Sequence, residues 1–241
     1  MLSAVKSKST KPEKSPVATF LLVFLLDRTG SMASCYAATV SGFNEFLHAQ
    51  QKEKAGEAAM TLVQFDRYRR EDICQTRYRA TKLSRVADLG SRQNPFQPRG
   101  TTPLFDAVGE TIQATDEVAR QYDHVLFIIQ TDGYENASRE YFQGQVFDMV
   151  GERREQGWDF VFLGADVDAY QLGGTLNVPV GNTVSYASGS QSAQAFGALA
   201  GTASRYRRSR GTSGGATAAL ADAPVARPAD GESGRNTSSP N

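Results

Sequence analysis

A chain of 241 residues with 40% apolar side chains can bury a sizeable core, and one large domain is the simplest division of that length. Its 26 basic and 26 acidic residues cancel, which argues against nucleic acid, a membrane surface or another polyanion as partner. Two cysteines, Cys35 and Cys74, lack C-x-x-C or Cys/His spacing, so zinc and a disulfide framework are poor readings and free thiols in a reducing compartment are expected.

Residues 1–16 are rich in Lys, Ser and Pro with almost nothing to bury, and are expected to form a disordered arm. The apolar run from Val17 to Leu26 is too short for a membrane span and reads as a strand buried on both faces of a parallel sheet. Lys6, Lys8, Lys11 and Lys14 ahead of this run imitate a signal peptide, and Met32 to Cys35 imitates a lipoprotein box. Asp27 and Arg28 interrupt the run before any small-x-small site, so the stretch reads as a core strand and the chain as cytoplasmic.

Tyr36, Val40, Phe43, Phe46 and Leu47 recur at helical spacing and predict an amphipathic helix ending near Ala49 to Lys54. Met60 to Phe65 predicts a second strand, Tyr68 to about Tyr78 an edge strand, and Asp66 and Arg67 a hairpin turn between them. Asp88 to Thr102 is a long loop by its Gly, Pro and Asn content. Pro103 then opens a helix carrying Leu104, Val108, Ile112 and Ala119. His124 to Thr131 is a third buried strand, followed by a helix from about Ser138 to Gln156 and a strand from Trp158 to Leu163. A short helix from Asp168 to Thr175, a short strand from Val178 to Val184 and a small-residue helix from Gln191 to about Arg205 complete the pattern. Residues 209–241 have the Gly, Ser, Thr, Ala and Pro content of a disordered tail, leaving 17–208 as the folded domain. Strands alternating with helices predict an α/β fold, a doubly wound sheet.

Chemistry is expected where the first strand ends. In open α/β sheets ligands bind beyond the carboxyl ends of strands, and here alternate residues Asp27, Thr29 and Ser31 offer a carboxylate and two hydroxyls to a hard cation. The stretch DRTGSM resembles the D-x-S-x-S signature of von Willebrand factor A (vWA) domains, with Thr29 in place of the middle Ser. The resemblance extends to a threonine in RGTTPLFDAV and to the aspartate of TDG. By the family's G-x-T pattern the threonine is Thr102, with Thr101 as the alternative one residue earlier; the aspartate is Asp132. The match covers roughly residues 17–205 and is closest to intracellular prokaryotic or phage members.

That resemblance implies a mostly parallel sheet with one antiparallel edge strand and helices on both faces. It also implies a metal-ion-dependent adhesion site at Asp27, Thr29, Ser31, Thr102 and Asp132, holding Mg²⁺, with Mn²⁺ or Ca²⁺ as substitutes, to which a partner protein presents an Asp or Glu. Arg28 would place a cation close to the ion, and Tyr134 an aromatic ring at its mouth. Asp106 reads as an acid in the first turn of its helix, Glu135 as solvated, and Asn136-Ala137-Ser138 as a helix start. His48 reads as a helix-face residue and His124 as a strand start. Arg205, Arg207, Arg208 and Arg210 read as a solvated helix end. The competing readings are a Mg²⁺-dependent phosphohydrolase, for which no phosphate loop or D-x-D pair is present in the sequence, and a degenerate scaffold without metal.

Overall fold

The computed structural model describes residues 17–69, 73–187, 189 and 191–210. The expected arm at 1–16 lies outside the described residues, as does the expected tail at 209–241 except for residues 209 and 210, which are helical rather than disordered. Six strands, β1 (Thr19–Asp27), β2 (Glu57–Phe65), β3 (Cys74–Lys82), β4 (His124–Thr131), β5 (Asp159–Ala165) and β6 (Thr183–Tyr186), form one sheet in the order β3-β2-β1-β4-β5-β6. Only β3 runs antiparallel, against β2. The helices are α1 (Tyr36–Lys52), α2 (Leu104–Ala119), α3 (Gln143–Glu155), α4 (Ala169–Thr175) and α5 (Ser192–Arg210).

The central strand β1 explains the architecture. Its side chains alternate between two apolar layers: Phe20, Leu22, Phe24 and Leu26 face one core with α1 and α5, and Leu21, Val23 and Leu25 face the other with α2 and α3. Phe43 and Phe46 of α1 meet Phe24 edge-on at centroid separations of 5.1 and 5.5 Å. Each such fully buried ring contributes about 1.5–3 kcal/mol. Strand order reverses at β1, where β2 departs to one side and β4 to the other, so the crevice expected of a doubly wound sheet lies at the end of β1.

Four boundaries differ from the sequence reading. The edge strand begins at Cys74 rather than Tyr68 and reaches Lys82, with register shifts where β3 carries extra residues opposite Met60 to Val63 of β2. The helix expected from Ser138 begins only at Gln143, because the amide groups of residues 139–141 donate to Asp106 instead of entering a helix. The last strand is Thr183–Tyr186, with Val178 given to the core beneath α4.

The fourth difference is α5, which extends to Arg210 rather than stopping near Arg205. Arg207 is not solvated but 2% exposed, and it donates to the carbonyls of Gln50, Glu53, Ala55 and Gly56. A guanidinium there satisfies carbonyls that α1 leaves open at its end and complements the negative pole of its dipole. No helix among the described residues is long and apolar enough to cross a membrane.

Candidate metal centre

The site begins with a carboxylate that packing forces out of water. Asp27 closes β1, is fully buried, and sits beside Thr131 because β1 and β4 pair in register up to Leu26 and Gln130. The Thr131 hydroxyl donates to Asp27 Oδ2 at 2.5 Å, and the Thr29 amide donates to Oδ1 at 2.6 Å. Burial, the largest influence, with a smaller push from the nearby Asp132, raises the Asp27 carboxyl from 3.8 to about 7 against the pull of these hydrogen bonds.

From Asp27 the oxygens run outward. The hydroxyls of Thr29 and Ser31 lie 3.2 Å apart, and Ser31 donates to Asp132 Oδ1 at 2.7 Å. Asp132 is also raised above the ordinary carboxylate range, chiefly by burial. Thr102 enters from the opposite side. A Cβ placed on Gly133 would stand 3.0 Å from Thr102 Oγ1 and 3.8 Å from Ser31 Oγ, so the missing side chain leaves room between the two hydroxyls. Thr101, by contrast, turns its hydroxyl to the Arg67 carbonyl and pairs its backbone with Arg67. Asp27, Thr29, Ser31, Thr102 and Asp132 are therefore gathered at one end of the sheet, and Thr101 is not.

Several residues that the sequence reading passed over, or read differently, hold this arrangement. Asn136 accepts from the Thr102 amide at 2.9 Å while its own amide donates to the Thr102 carbonyl at 3.0 Å, which clamps Thr102. Glu135 is not simply solvated: it accepts from the amides of Phe105, Ala137 and Ser138 and from the Ser138 hydroxyl. Asp106 is fully buried and accepts from the amides of Arg139, Glu140 and Tyr141 and from the Arg67 guanidinium, so it ties a remote loop to α2. Thr131 could have been singled out from its place before Asp132; Asn136 and Asp106 have no sequence signal for these roles.

Arg28 also departs from expectation. Its guanidinium turns away to Asp66 Oδ1 at 2.6–2.7 Å and to Gln75 Oε1 at 2.5 Å, so its charge is spent on a buried partner. Asp66 accepts in addition from Arg99, and the Gly30 amide donates to the Gly100 carbonyl, which joins the first and second loops. Tyr134 is 52% exposed, as a rim residue should be, and its hydroxyl accepts from the Asp168 amide. His48 meets Asp88 across the surface at 2.8 Å.

The donors suit a hard cation. Two carboxylates and three hydroxyls form an all-oxygen set, and among the described residues no group of three His, Cys, Asp or Glu side chains could replace it. The cradle at Gly133 and the carboxylate stranded at Asp27 both fit a cation that would sit among these oxygens.

Comparison with known proteins finds no matching family model and no matching curated protein. Solved structures do match in fold. The vWF domain of the pilus tip protein Mfa5 from Porphyromonas gingivalis superposes with a TM-score of 0.59 at 10% identity, over 81% of this chain and 98% of that one. Proximal thread matrix protein 1 from the mussel byssus gives 0.56 at 13% identity over 78% of this chain, and a further structure of it has a zinc-occupied MIDAS motif. A von Willebrand factor type A protein from Catenulispora acidiphila gives 0.54 at 13% identity, over 76% of this chain and 42% of that one. The chain spans about half the length of the mussel protein, 48%. At these identities the likeness is one of fold, and the fold is that of vWA domains.

Proposed function

We propose that this vWA-fold chain is a metal-dependent protein-binding module, in which a divalent ion held at Asp27, Thr29, Ser31, Thr102 and Asp132 accepts an Asp or Glu side chain of a partner protein. The observation that carries the reading is the continuous run of oxygens from Asp27 through Thr29 and Ser31 to Asp132, with Thr102 closing it across Gly133.

Mg²⁺ is the favoured ion, with Mn²⁺ or Ca²⁺ as substitutes, because hard oxygen donors with few charges match its preference for octahedral oxygen and retained water. When bound, the ion supplies an electrophilic position for a carboxylate. The chain's own groups do the rest: Thr131 and the Thr29 amide hold the Asp27 carboxylate, Asn136 holds Thr102, and Ser31 holds Asp132. A non-catalytic role is part of the same proposal, since binding needs no base or nucleophile. So is a cytoplasmic setting of the intracellular prokaryotic or phage type, with which the free thiols of Cys35 and Cys74 agree.

The test is isothermal titration of Mg²⁺, Mn²⁺ and Ca²⁺ into metal-stripped protein and into an Asp27→Ala, Asp132→Ala double variant. One-site binding lost in the variant supports the reading. A partner screen run with and without chelator completes it, and partner capture that ignores chelator would overturn it.

A further inference from the structure

The loop that carries Thr29 and Ser31 and the loop that carries Thr102 meet on one buried side chain that is not a donor of the oxygen cluster. Asp66 follows β2, which runs parallel to β1, so it lies at the same end of the sheet as the cluster. It is 1% exposed, and its amide donates to the Ile73 carbonyl at 3.0 Å, which fixes its backbone. Its two carboxylate oxygens are divided between the loops. Oδ1 accepts from Nε and Nη2 of Arg28, between Asp27 and Thr29, at 2.7 and 2.6 Å, and Oδ2 accepts from Arg99 Nε at 2.9 Å.

Thr102 needs such an anchor. Residues 86–103, between the 3₁₀ turn Leu83–Arg85 and α2, contain no helix or strand, and Thr102 stands near the end of that stretch. An irregular segment of this length holds a side chain in place only where it is tied down. Here the ties lie around Asp66. The Arg99 amide donates to the Arg28 carbonyl at 2.8 Å, the Gly30 amide to the Gly100 carbonyl at 3.1 Å, and the Thr101 and Arg67 backbones bond each other at 2.9 and 3.2 Å. Gly100 has a φ of +70°, and a Cβ there would stand 2.4 Å from the Arg67 carbonyl and 3.3 Å from Asp66 Oδ2, so the second loop lies directly against Asp66.

We infer that Asp66 is a positioning residue for the ion site. By holding Arg28 on one oxygen and Arg99 on the other, it sets the distance between the Thr29 and Ser31 hydroxyls and the Thr102 hydroxyl. The inference rests on the hard-ion reading and adds to it a carboxylate that acts through two guanidiniums rather than on the ion. Mg²⁺ tolerates little departure from octahedral geometry, so the spacing of the two loops decides affinity. Both hydroxyl groups stand in place before the ion arrives, and binding does not have to order them.

Position and charge predict opposite signs at Arg28. Arg28→Met removes a cation and takes one partner from Asp66, and by charge alone both effects draw a divalent ion in more tightly. If the link positions the loops, the same variant binds more weakly. The experiment is calorimetric titration of Mg²⁺ into the metal-stripped full-length chain. Asp66→Asn and Arg28→Met are each expected to bind about 10–100-fold more weakly than wild type, and the double variant no more weakly than the weaker single. Arg28→Lys keeps the charge and loses the fork, and is expected to bind more weakly as well. Arg28→Met or Arg28→Lys with affinity equal to or above that of wild type overturns the inference. Circular dichroism and thermal melting establish that each variant is folded, and Arg28→Lys decides if Arg28→Met is not.

Amide exchange in metal-free protein reads the link without the ion. In Asp66→Asn the Gly30 and Arg99 amides should exchange at least about tenfold faster while those of β4 and α3 keep their wild-type rates. Unchanged exchange at Gly30 and Arg99, or acceleration spread evenly over the core amides, overturns the inference. A wild type that binds no Mg²⁺ counts against the hard-ion reading, and the exchange rates then decide alone whether Asp66 holds the loops.

Discussion

Asp27 makes the metal-free chain less stable in neutral solution than in mild acid, and Asp27→Asn should remove this dependence. In the fold the carboxyl titrates at about 7, against 3.8 for the ordinary group. A raised folded value means that the neutral form is the one the fold prefers. The contribution to stability is therefore fully present below about pH 4, is lost as pH rises through about 7, and is constant above that. Three units correspond to about 4 kcal/mol, and with Asp27 fully buried no solvent screening reduces it. Urea unfolding in chelator between pH 5 and 8 should show wild type losing stability relative to Asp27→Asn by about 2.5 kcal/mol, most of it by pH 7, the rest having been lost below pH 5.

A bound divalent ion inverts the effect, because it favours the ionised carboxylate. Its apparent affinity should rise about tenfold per pH unit up to about 7 and then level off, with a proton released for each ion bound below that point. Saturating Mg²⁺ should then restore wild-type stability at pH 8 and leave Asp27→Asn unaffected. A wild-type minus variant difference that is flat from pH 5 to 8 in chelator would refute the argument, since the burial of Asp27 would then carry no electrostatic cost.

Gly133→Ala should cost at least about tenfold in Mg²⁺ affinity, about 1.4 kcal/mol, since the new methyl would stand 3.0 Å from Thr102 Oγ1; titration calorimetry reads it directly. Asn136→Ala removes the acceptor of the Thr102 amide and should lower ion affinity about fivefold, the equivalent of about 1 kcal/mol, with little change in melting temperature. Arg207→Met should do the opposite, destabilising by about 2–4 kcal/mol in urea unfolding with ion affinity unchanged, because it strands the carbonyls at the end of α1 far from the oxygen cluster.

The strands and the long helices were legible in the chain because their signal is local. A run such as Val17 to Leu26 has only one economical home in a protein of this size, and the Leu104, Val108, Ile112 spacing permits only one helix face. The strand-end aspartates followed from the same logic, since a buried strand that stops at a carboxylate marks the rim of the sheet. What sequence could not convey were side chains whose partners lie far along the chain. Ser138 to Phe142 reads as a helix start until Asp106, more than thirty residues earlier, accepts the amides of residues 139–141. Arg28 reads as a cation beside the ion until Asp66 takes its charge, and Arg207 as a solvated base until carbonyls from residues 50 to 56 enclose it. In each case a long-range hydrogen bond outweighed a local tendency that is worth less.

The bond between Thr131 and Asp27 spans 104 residues of chain, and it joins strands that pair in parallel. A parallel partner reaches β1 only after a full crossover, and such distant closures are the slow steps of folding because chain entropy is lost before contacts repay it. The oxygen cluster thus comes into being with the last of the central pairings and has no counterpart in a nascent chain that has made only β1, α1 and β2. Ion uptake during refolding should consequently lag the gain of helical signal, and a ribosome-bound or truncated chain ending before β4 should take up no ion at this cluster.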